Sequence, residues 1–261
     1  MRQKPGEAVL NLSDYRASTQ EQDRTQDLLE LMPATGSIAL DIGARDGHFS
    51  LLMAERFEQV IALDLHKPNV NHLRVQCVEG NAARLDLPDA SVDFVFCAEV
   101  LEHLCDDTLT AVCNELQRVC NGQLLIGVPF RQDIRVGRTT CYHCLGKNPP
   151  WGHVNRFDEY SLAERFPHFH IEKKSFVGHN ADETNALSAL LLDLAGNPYG
   201  TYEQEEGCIH CGRPLIPPPE RNLGQKILTK AAYLVRDTTA LFNKPHANWI
   251  HVLFAKGVTM A

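Results

Sequence analysis

Four apolar runs between residues 38 and 99 each end in an acidic or amide side chain. These side chains are Asp41, Asp64, Asn81 and Glu99. In an open parallel sheet, ligands bind in the crevice beyond the carboxyl ends of the strands. Polar residues at several successive strand ends therefore outline one binding cleft, in which carboxylates accept hydrogen bonds and an amide both donates and accepts them.

Two glycines bracket the turn after the first of these runs. Gly43 and Gly47 permit a positive φ and a close approach of the backbone to a ligand, and a helix that follows offers free N–H groups. Alone, such a turn is equally consistent with a simple tight turn. A dinucleotide site would carry G-x-G-x-x-G here, whereas this chain has Asp41 two residues before its first glycine and no G-x-G. The turn therefore disfavours NAD(P).

The motifs D-x-G-x-x-x-G at residues 41–47 and E-V-L-E-H at residues 99–103 resemble those of the class I S-adenosylmethionine (SAM)-dependent methyltransferases, in their small-domain, type-11-like branch. The likeness covers about residues 35–177 and returns at the last strand. It implies that SAM is the cofactor and that Asp41 helps to anchor its amino group. Asp64, at the second strand end, suits the ribose hydroxyl groups, as in other nucleotide-binding α/β folds, although a solvated acid is the plain alternative. The expected cofactor-binding residues are Asp41, Gly43, Gly47, Asp64, Leu65, Asn81, Ala82, Cys97 and Glu99.

The chain departs from the resembled family at two of these places. Arg45 stands where relatives carry a further glycine, and Asn81 stands where they carry aspartate. An amide can still meet the edge of an adenine ring, because it both donates and accepts hydrogen bonds.

Two histidines are candidates for the acceptor side of the cleft. His103 lies four residues after Glu99 and would share its face in a helix, and its intrinsic pKa near neutrality suits a general base. A structural histidine is the alternative, since methyl transfer from a sulfonium needs alignment more than proton transfer. His153 belongs to a G-H-x-x-x-F segment at residues 152–157 that resembles one bordering the active site in the family. We predict His103 and His153 as catalytic residues on these grounds.

Four of the nine cysteines form two C-x-x-C pairs separated by some sixty residues. Two such pairs supply the four thiolates of a tetrahedral zinc site, and a closed four-thiolate shell is structural rather than catalytic. A redox role is the rival interpretation, and it explains one pair better than two. His143 and His210 lie inside the pairs and are predicted to be neighbours rather than ligands. The remaining cysteines sit in apolar or amphipathic runs, where a buried thiol acts as a small hydrophobe. The predicted zinc ligands are Cys141, Cys144, Cys208 and Cys211.

Strand-like runs that alternate with helical runs position these residues. Such alternation predicts a parallel sheet with crossover helices. The resemblance to the methyltransferases implies that the last two strands form a hairpin at the sheet edge. The expected fold is therefore α/β, a Rossmann-like doubly wound, mostly parallel seven-stranded sheet with an antiparallel last strand and a small zinc-stapled insertion. The predicted segments are an N-terminal helical extension at 1–34, a SAM-binding core at 35–130, acceptor-side loops with the sixth strand and zinc insertion at 131–223, and a C-terminal helix and last strand at 224–261. Helices are predicted over 14–32, 49–57, 107–120, 158–166 and 225–242, and strands over 38–42, 60–65, 73–78, 92–98, 124–128, 169–177 and 249–255.

Composition narrows the classes of partner. The chain has 261 residues, 44% of them apolar, and a formal net charge of −8, which disfavours a broad nucleic-acid-binding surface. No apolar run reaches the roughly 18 residues of a membrane span, and the N-terminus lacks the apolar segment of a signal peptide, so we expect a cytoplasmic protein without a membrane partner. Residues 131–156 carry five basic side chains against one acid, which suits either an anionic acceptor or the charge of a tetrathiolate zinc site.

The combined expectation is a SAM-dependent methyltransferase with structural Zn²⁺, acting on a small-molecule or glycan acceptor. The alternatives are a non-catalytic SAM-fold or zinc-module scaffold that binds a partner, and a tRNA or protein methyltransferase. The sequence does not distinguish oxygen, nitrogen and carbon acceptors, and it leaves the oligomeric state open.

Overall fold

A twisted seven-stranded sheet forms the centre of the computed structural model, which describes residues 13–204, 206–240 and 243–257. Its strands are β1 (Gly36–Ile42), β2 (Phe57–Asp64), β3 (Val75–Glu79), β4 (Val92–Ala98), β5 (Cys120–Pro129), β8 (Phe169–Val177) and β9 (Trp249–Lys256). They lie in the order β3-β2-β1-β4-β5-β9-β8, with β1 to β5 parallel and β9 antiparallel to both of its neighbours. The predicted α/β fold class and the antiparallel last strand are confirmed. The order reverses between β1 and β4, and a ligand crevice is expected at such a switch point.

Helices cover both faces of the sheet, and a small hairpin stands apart from it. The helices are α1 (Ser13–Arg16), α2 (Thr19–Leu31), α3 (His48–Ala54), α4 (Asp106–Val119), α5 (Glu159–Arg165), α6 (Ala186–Leu194) and α7 (Leu223–Ala240). The hairpin pairs β6 (Thr139–Thr140) with β7 (Lys147–Asn148). Short 3₁₀ turns occupy Leu101–His103 and Pro150–Gly152. The predicted end of the last helix at residue 242 and the start of the N-terminal extension lie outside the described residues.

The sheet is buried on both faces, which is why its strands read as continuous apolar runs. On β4, Val95 and Cys97 enter one core cluster, while Phe94 and Phe96 enter the cluster on the opposite face. The second cluster includes Leu28 of α2, which is completely buried. The N-terminal helix is therefore part of the domain core.

Several element boundaries differ from the sequence prediction for packing reasons. The helix expected to reach Phe57 ends at Ala54, because Phe57 is buried in β2 and stacks on Phe94 with ring centroids 5.3 Å apart. Gly122, which lies two residues beyond the end of the predicted helix 107–120, is inside β5. A Cβ there would stand 2.3 Å from the Asp93 carbonyl oxygen, so this glycine serves a close strand contact.

Two helical details were not anticipated. The N-terminal helix is broken at Ala17–Ser18, where the Ser18 hydroxyl accepts from the Glu21 N–H and caps α2. Helix α6 lies in a segment that reads as irregular and is started by a capping box between Asn185 and Ser188. Among the described residues, no helix is both long and apolar enough to cross a bilayer.

Candidate active site

A cavity of about 800 Å³ opens at the carboxyl ends of β1 and β4. Its wall includes Asp41 and the glycine turn after β1, Glu99 after β4, and side chains from α1 and α2. The Arg16 guanidinium of α1 donates to the Asp46 carboxylate of the glycine turn at 2.7 Å, so α1 is tied across the mouth of the cavity. The cavity lies where the strand order reverses, as expected for this type of sheet.

The glycine turn adopts a left-handed backbone. Gly43 and Gly47 have φ of 75° and 77°, and Arg45 between them has φ of 44°. A Cβ at Gly47 would lie 2.0 Å from a methyl group of Val70. Gly43 donates to the Leu63 carbonyl at 2.9 Å, which fixes the turn against β2. The turn therefore requires glycine at both ends while tolerating arginine at its centre.

Asp41 is a buried acid at the floor of the cavity. Its exposed fraction is 2%, and it accepts a hydrogen bond from the Ser50 hydroxyl at 2.5 Å. Burial raises the pKa of Asp41 to about 7 despite that bond. The group can thus change its charge near neutral pH.

A buried arginine on the N-terminal helix is the main residue that sequence reasoning missed. Arg24 forms a two-point ion pair with Glu21, at 2.7 and 2.8 Å, and lies against the rings of Phe49 and Trp249. Within the described structure, its Nη1 and the Oε1 of Glu99 are buried atoms that have no hydrogen-bond partner, and they lie 3.9 Å apart. The alternation of charge and apolar residues in α2 resembles that of any surface helix, so no local signal marks Arg24.

The structure brings some predicted cofactor residues to the cavity and leaves others outside its wall. Asp41, Gly43 and Glu99 line it. Asp64 accepts from the Arg45 N–H at 2.9 Å, beside the glycine turn, and Leu65 is exposed. Like Asp64 and Leu65, the remaining predicted cofactor residues lie outside the cavity wall; these are Gly47, Asn81, Ala82 and Cys97. Cys97 points into the core, and Asn81 caps a turn by accepting the N–H two residues on.

His103 and His153 meet in the wall of this cavity, and Glu102 lies close to both. The two imidazole rings contact edge to face, with centroids 4.6 Å apart, and both line the cavity. Burial, followed by the charge of His103, lowers the pKa of His153 to about 3, so its ring is neutral. Glu102 lies beneath them, completely buried, and burial together with the Glu99 charge raises its pKa well above its ordinary value. The segment 99–103 is not one continuous helix, because Glu99 has φ of 57° before a 3₁₀ turn.

The four predicted zinc ligands also meet. One sulfur from each lies within 4.8 Å of all the others, with Cys141 and Cys211 3.7 Å apart and Cys144 and Cys208 3.6 Å apart. Sulfurs about 2.3 Å from a central zinc in a tetrahedron are about 3.8 Å apart. His143 and His210 bond elsewhere, to Arg213 and to the Lys147 carbonyl.

Four of the five basic side chains of residues 131–156 lie next to carboxylates. Arg135 pairs with Asp133 at 2.7 Å, and Arg138 and Lys147 both pair with Asp193, at 3.0 and 2.6 Å. Arg131 approaches Asp158 at 3.9 Å, and Arg156 is exposed. Most of this positive charge thus has a counter-charge within the protein.

Part of the chain that lines this cavity is similar to known methyltransferases. Residues 40–126 match the family model of the methyltransferase domain. The chain is 36% identical over 113 residues to proteins of two Mycobacterium tuberculosis strains, named as probable S-adenosylmethionine-dependent methyltransferases. A similarly named protein of Mycolicibacterium smegmatis is 36% identical over 111 residues. These matches cover 40 to 41% of this chain and 40 to 43% of the relatives, so the chain spans about two fifths of their length.

Solved structures share the fold at low sequence identity. The N-methyltransferase NodS from Bradyrhizobium japonicum matches 92% of this chain and 98% of its own, with 12% identity and a TM-score of 0.53. The [4+2]-cyclase SpnF matches 93% of this chain and 84% of its own, with 17% identity and a TM-score of 0.54. The fold therefore carries more than one chemistry, and function has to be argued from the site.

The buried Asp41 predicts a pH-dependent stability. Because its pKa is about 7 in the folded protein and near 4 when unfolded, the folded state alone keeps its proton between these values. Folding stability should fall as pH rises across this window, by at most about 1.4 kcal/mol per pH unit, and level off above it. Urea unfolding of wild type and Asp41→Asn at several pH values measures this, and the variant should lack this contribution.

The exposed Asp86→Asn is the matched control and should follow the wild type. Parallel stability curves for wild type and Asp41→Asn would show that Asp41 does not titrate in this window.

Proposed function

We propose that this chain, a member of the class I SAM-dependent methyltransferase superfamily, transfers a methyl group from SAM to an acceptor in the cavity. The observation that carries the proposal is the pair of buried, oppositely charged atoms on Arg24 and Glu99 at the carboxyl ends of β1 and β4. A ligand with both an amino and a carboxyl group is complementary to such a pair, because buried charges need partners.

The residues around the cavity fit the methionine end of SAM. The Arg24 Nη1 would donate to its carboxylate, while Glu99 and Asp41 would accept from its ammonium group. Arg24 is held in place by its two bonds to Glu21, so little reorganisation accompanies binding. Any ligand with an amino-acid group would pair with Arg24, Glu99 and Asp41 in this way. Specificity for SAM must therefore come from contacts to its nucleoside end.

Asp64 and the turn after β3 would hold the nucleoside end. The Asp64 carboxylate accepts from two backbone N–H groups, those of Arg45 and His66, and retains lone pairs for ribose hydroxyl donors. Gly43, Gly47, Leu65, Asn81 and Ala82 complete this proposed surface through backbone or side-chain contact. Cys97 is the proposed neighbour of the methionine end through its backbone, because its side chain is buried in the core. SAM supplies a methyl group on a positively charged sulfur, which a nucleophile can attack directly.

His103 and His153 line the cavity and are the proposed contacts to the acceptor. These two side chains can position an acceptor in line with the methyl group, and such alignment supplies most of the catalysis that the reaction needs. We favour a small molecule or glycan as the acceptor, because the net charge is −8 and most basic loop residues lie beside carboxylates. The division into four segments and the cytoplasmic location stay predictions.

The first test is cofactor binding. Calorimetry should detect binding of SAM and of its demethylated product to the wild-type chain. Asp64→Ala should abolish it, because the ribose hydroxyls lose their acceptor. Glu99→Gln should weaken it about tenfold to a hundredfold, the usual cost of losing a hydrogen bond to a charged group.

Asp107→Ala provides the control, since Asp107 is an exposed acid in the first turn of α4, away from every residue proposed to bind the cofactor. Its affinity should equal that of the wild type. Absence of wild-type binding at millimolar cofactor would overturn the enzyme proposal and leave the scaffold alternative.

The acceptor is tested by incubating the protein and methyl-labelled SAM with cell extracts. We expect label in small molecules or glycans, and none with Asp64→Ala. Label that appears only in RNA or only in protein would reverse the acceptor assignment while leaving the methyltransferase activity intact.

We further propose that the four clustered cysteines hold one structural zinc ion. Each pair lies in a knuckle: Leu145 donates to the Cys141 carbonyl at 2.8 Å, and Gly212 donates to the Cys208 carbonyl at 2.7 Å. Burial raises the pKa of Cys208, but hydrogen bonds from the His210 and Cys211 backbone outweigh it and lower that pKa to about 6. Thiolates surrounded by N–H donors are the form that binds zinc.

Elemental analysis of purified protein should find about one zinc per chain that survives dialysis, as a single four-thiolate shell requires. Cys208→Ser should lose the metal and loosen residues 131–223 before the sheet, because zinc binding contributes directly to folding. Cys105→Ser, which alters an exposed thiol elsewhere, should keep it. A metal-free, fully folded protein with Cys141 and Cys144 oxidised would establish the redox interpretation instead.

A further inference from the structure

We infer that Glu102, His103 and His153 bind one divalent transition-metal ion at the acceptor end of the cavity, separate from the four-cysteine site. Each residue offers one ligand atom, and these three atoms lie within 4.8 Å of one another. Ligands on opposite sides of an ion with bonds of about 2.1 Å are about 4.2 Å apart, so small side-chain movements bring all three into a single shell. Two imidazoles and a carboxylate form a common set for ions such as Zn²⁺, Fe²⁺, Mn²⁺ and Co²⁺.

The first independent observation is the state of Glu102. Its side chain is completely buried, and neither carboxylate oxygen has a hydrogen-bond partner anywhere in the described ranges. Burying an acceptor pair without partners costs several kcal/mol. A protonated carboxyl would still leave its hydroxyl without an acceptor, whereas a metal ion satisfies an oxygen directly.

The second observation is the outer contacts of the two histidines. The Nδ1 of His153 lies 2.6 Å from the Gln132 side-chain oxygen, which can only accept, so Nδ1 carries the proton and Nε2 presents a lone pair. The backbone of Trp151 lies near the His103 ring and stabilises its protonated form, which partly offsets the lowering of its pKa by burial. Histidines that ligate metals typically donate their other ring N–H to a carbonyl or carboxylate in this way, which fixes the ring and the tautomer.

The backbone holds the ligands in register. The N–H groups of Val154 and Asn155 donate to the Glu102 carbonyl oxygen, at 2.8 and 3.1 Å. The Asn155 side chain donates to the carbonyls of Leu101 and Leu104, at 2.9 and 2.6 Å. The segment that carries His153 is therefore fastened to the turn that carries Glu102 and His103, although they are some fifty residues apart in sequence.

An ion at this position would also narrow the type of acceptor in the proposed methyl transfer, and this conclusion rests on that proposed function. Glu102 lies beneath the wall while both histidines line the cavity, so the remaining coordination positions would face the acceptor. An acceptor hydroxyl bound there would lose its proton to water more readily. Its oxygen would then form the bond to the methyl carbon as the carbon–sulfur bond breaks and leaves its electron pair on sulfur. A metal ion at this position would therefore favour acceptors that carry a hydroxyl group.

The test uses Mn²⁺ alone, because Mn²⁺ favours oxygen and nitrogen ligands over a four-thiolate site. Titration of the full chain, followed by loss of the free Mn²⁺ electron paramagnetic resonance signal, should show one bound ion per chain. Glu102→Gln keeps the shape of the side chain and should weaken binding at least about tenfold, as should His153→Asn, which serves if the first variant does not fold. The exposed carboxylate variant Asp107→Asn should match the wild type.

Cofactor calorimetry on the same samples separates the two proposals. Ion binding that depends on Glu102 or His153 supports the metal site whether or not SAM binds. Wild-type protein that binds the demethylated cofactor but no Mn²⁺ at millimolar concentration would overturn the metal site alone. Mn²⁺ binding that is unchanged in both variants would place the ion elsewhere and would also overturn it.

Discussion

Several acidic groups cluster at one cavity around Arg24, the one buried arginine among the described residues, and this imbalance of charge governs the site. Glu21, Asp41 and Glu102 are buried, and Glu99 has one fully buried oxygen. Arg24 is bonded to Glu21 and only approaches Glu99. Because unpaired buried charges are costly, such a cavity favours cationic ligands. SAM, which carries a sulfonium and an ammonium group, would be attracted by this negative charge. A divalent cation beside Glu102 would be attracted in the same way.

The position of Arg24 depends in turn on how α2 is attached to the far edge of the sheet. Three residues after Arg24, Asp27 accepts from Ser175 of β8 and lies 2.5 Å from the ring of the buried His251 in β9. These bonds join the N-terminal helix to strands that are 148 and 224 residues away in sequence. The cavity wall is therefore completed only after the last strand has paired, although the strand ends that define its floor come from the first hundred residues.

This dependence explains what the sequence could predict and what it could not. Apolar runs of strand length and polar strand ends are local features, and they were sufficient for the parallel part of the sheet and for the placement of Asp41 and Glu99 at the cavity. The antiparallel last strand and the position of His153 were predicted from the resemblance to the methyltransferase family instead. The burial of Arg24 and the lack of partners around Glu102 arise from contacts between distant segments, which a single sequence does not display. Helix α6 was not predicted for a different reason. It is a short segment of nine mostly apolar residues, so its hydrophobic periodicity does not distinguish a helix from a strand.

The segment that leads to Cys208 contacts the turn that carries His153 through a hydrogen bond and side-chain packing. The Gln204 side chain, four residues before Cys208, accepts from the Trp151 N–H at 2.7 Å, and Glu206 packs against Gly152. Trp151 and Gly152 directly precede His153 and shape the turn that carries it, through left-handed φ values of 51° and 69°. A polar side chain and a few backbone bonds are weak restraints on an insertion of this length, whereas a four-ligand ion fixes both knuckles at once. Order imposed by the proposed zinc ion would therefore reach the histidines, so a structural site would set the geometry of the proposed acceptor site without touching the acceptor.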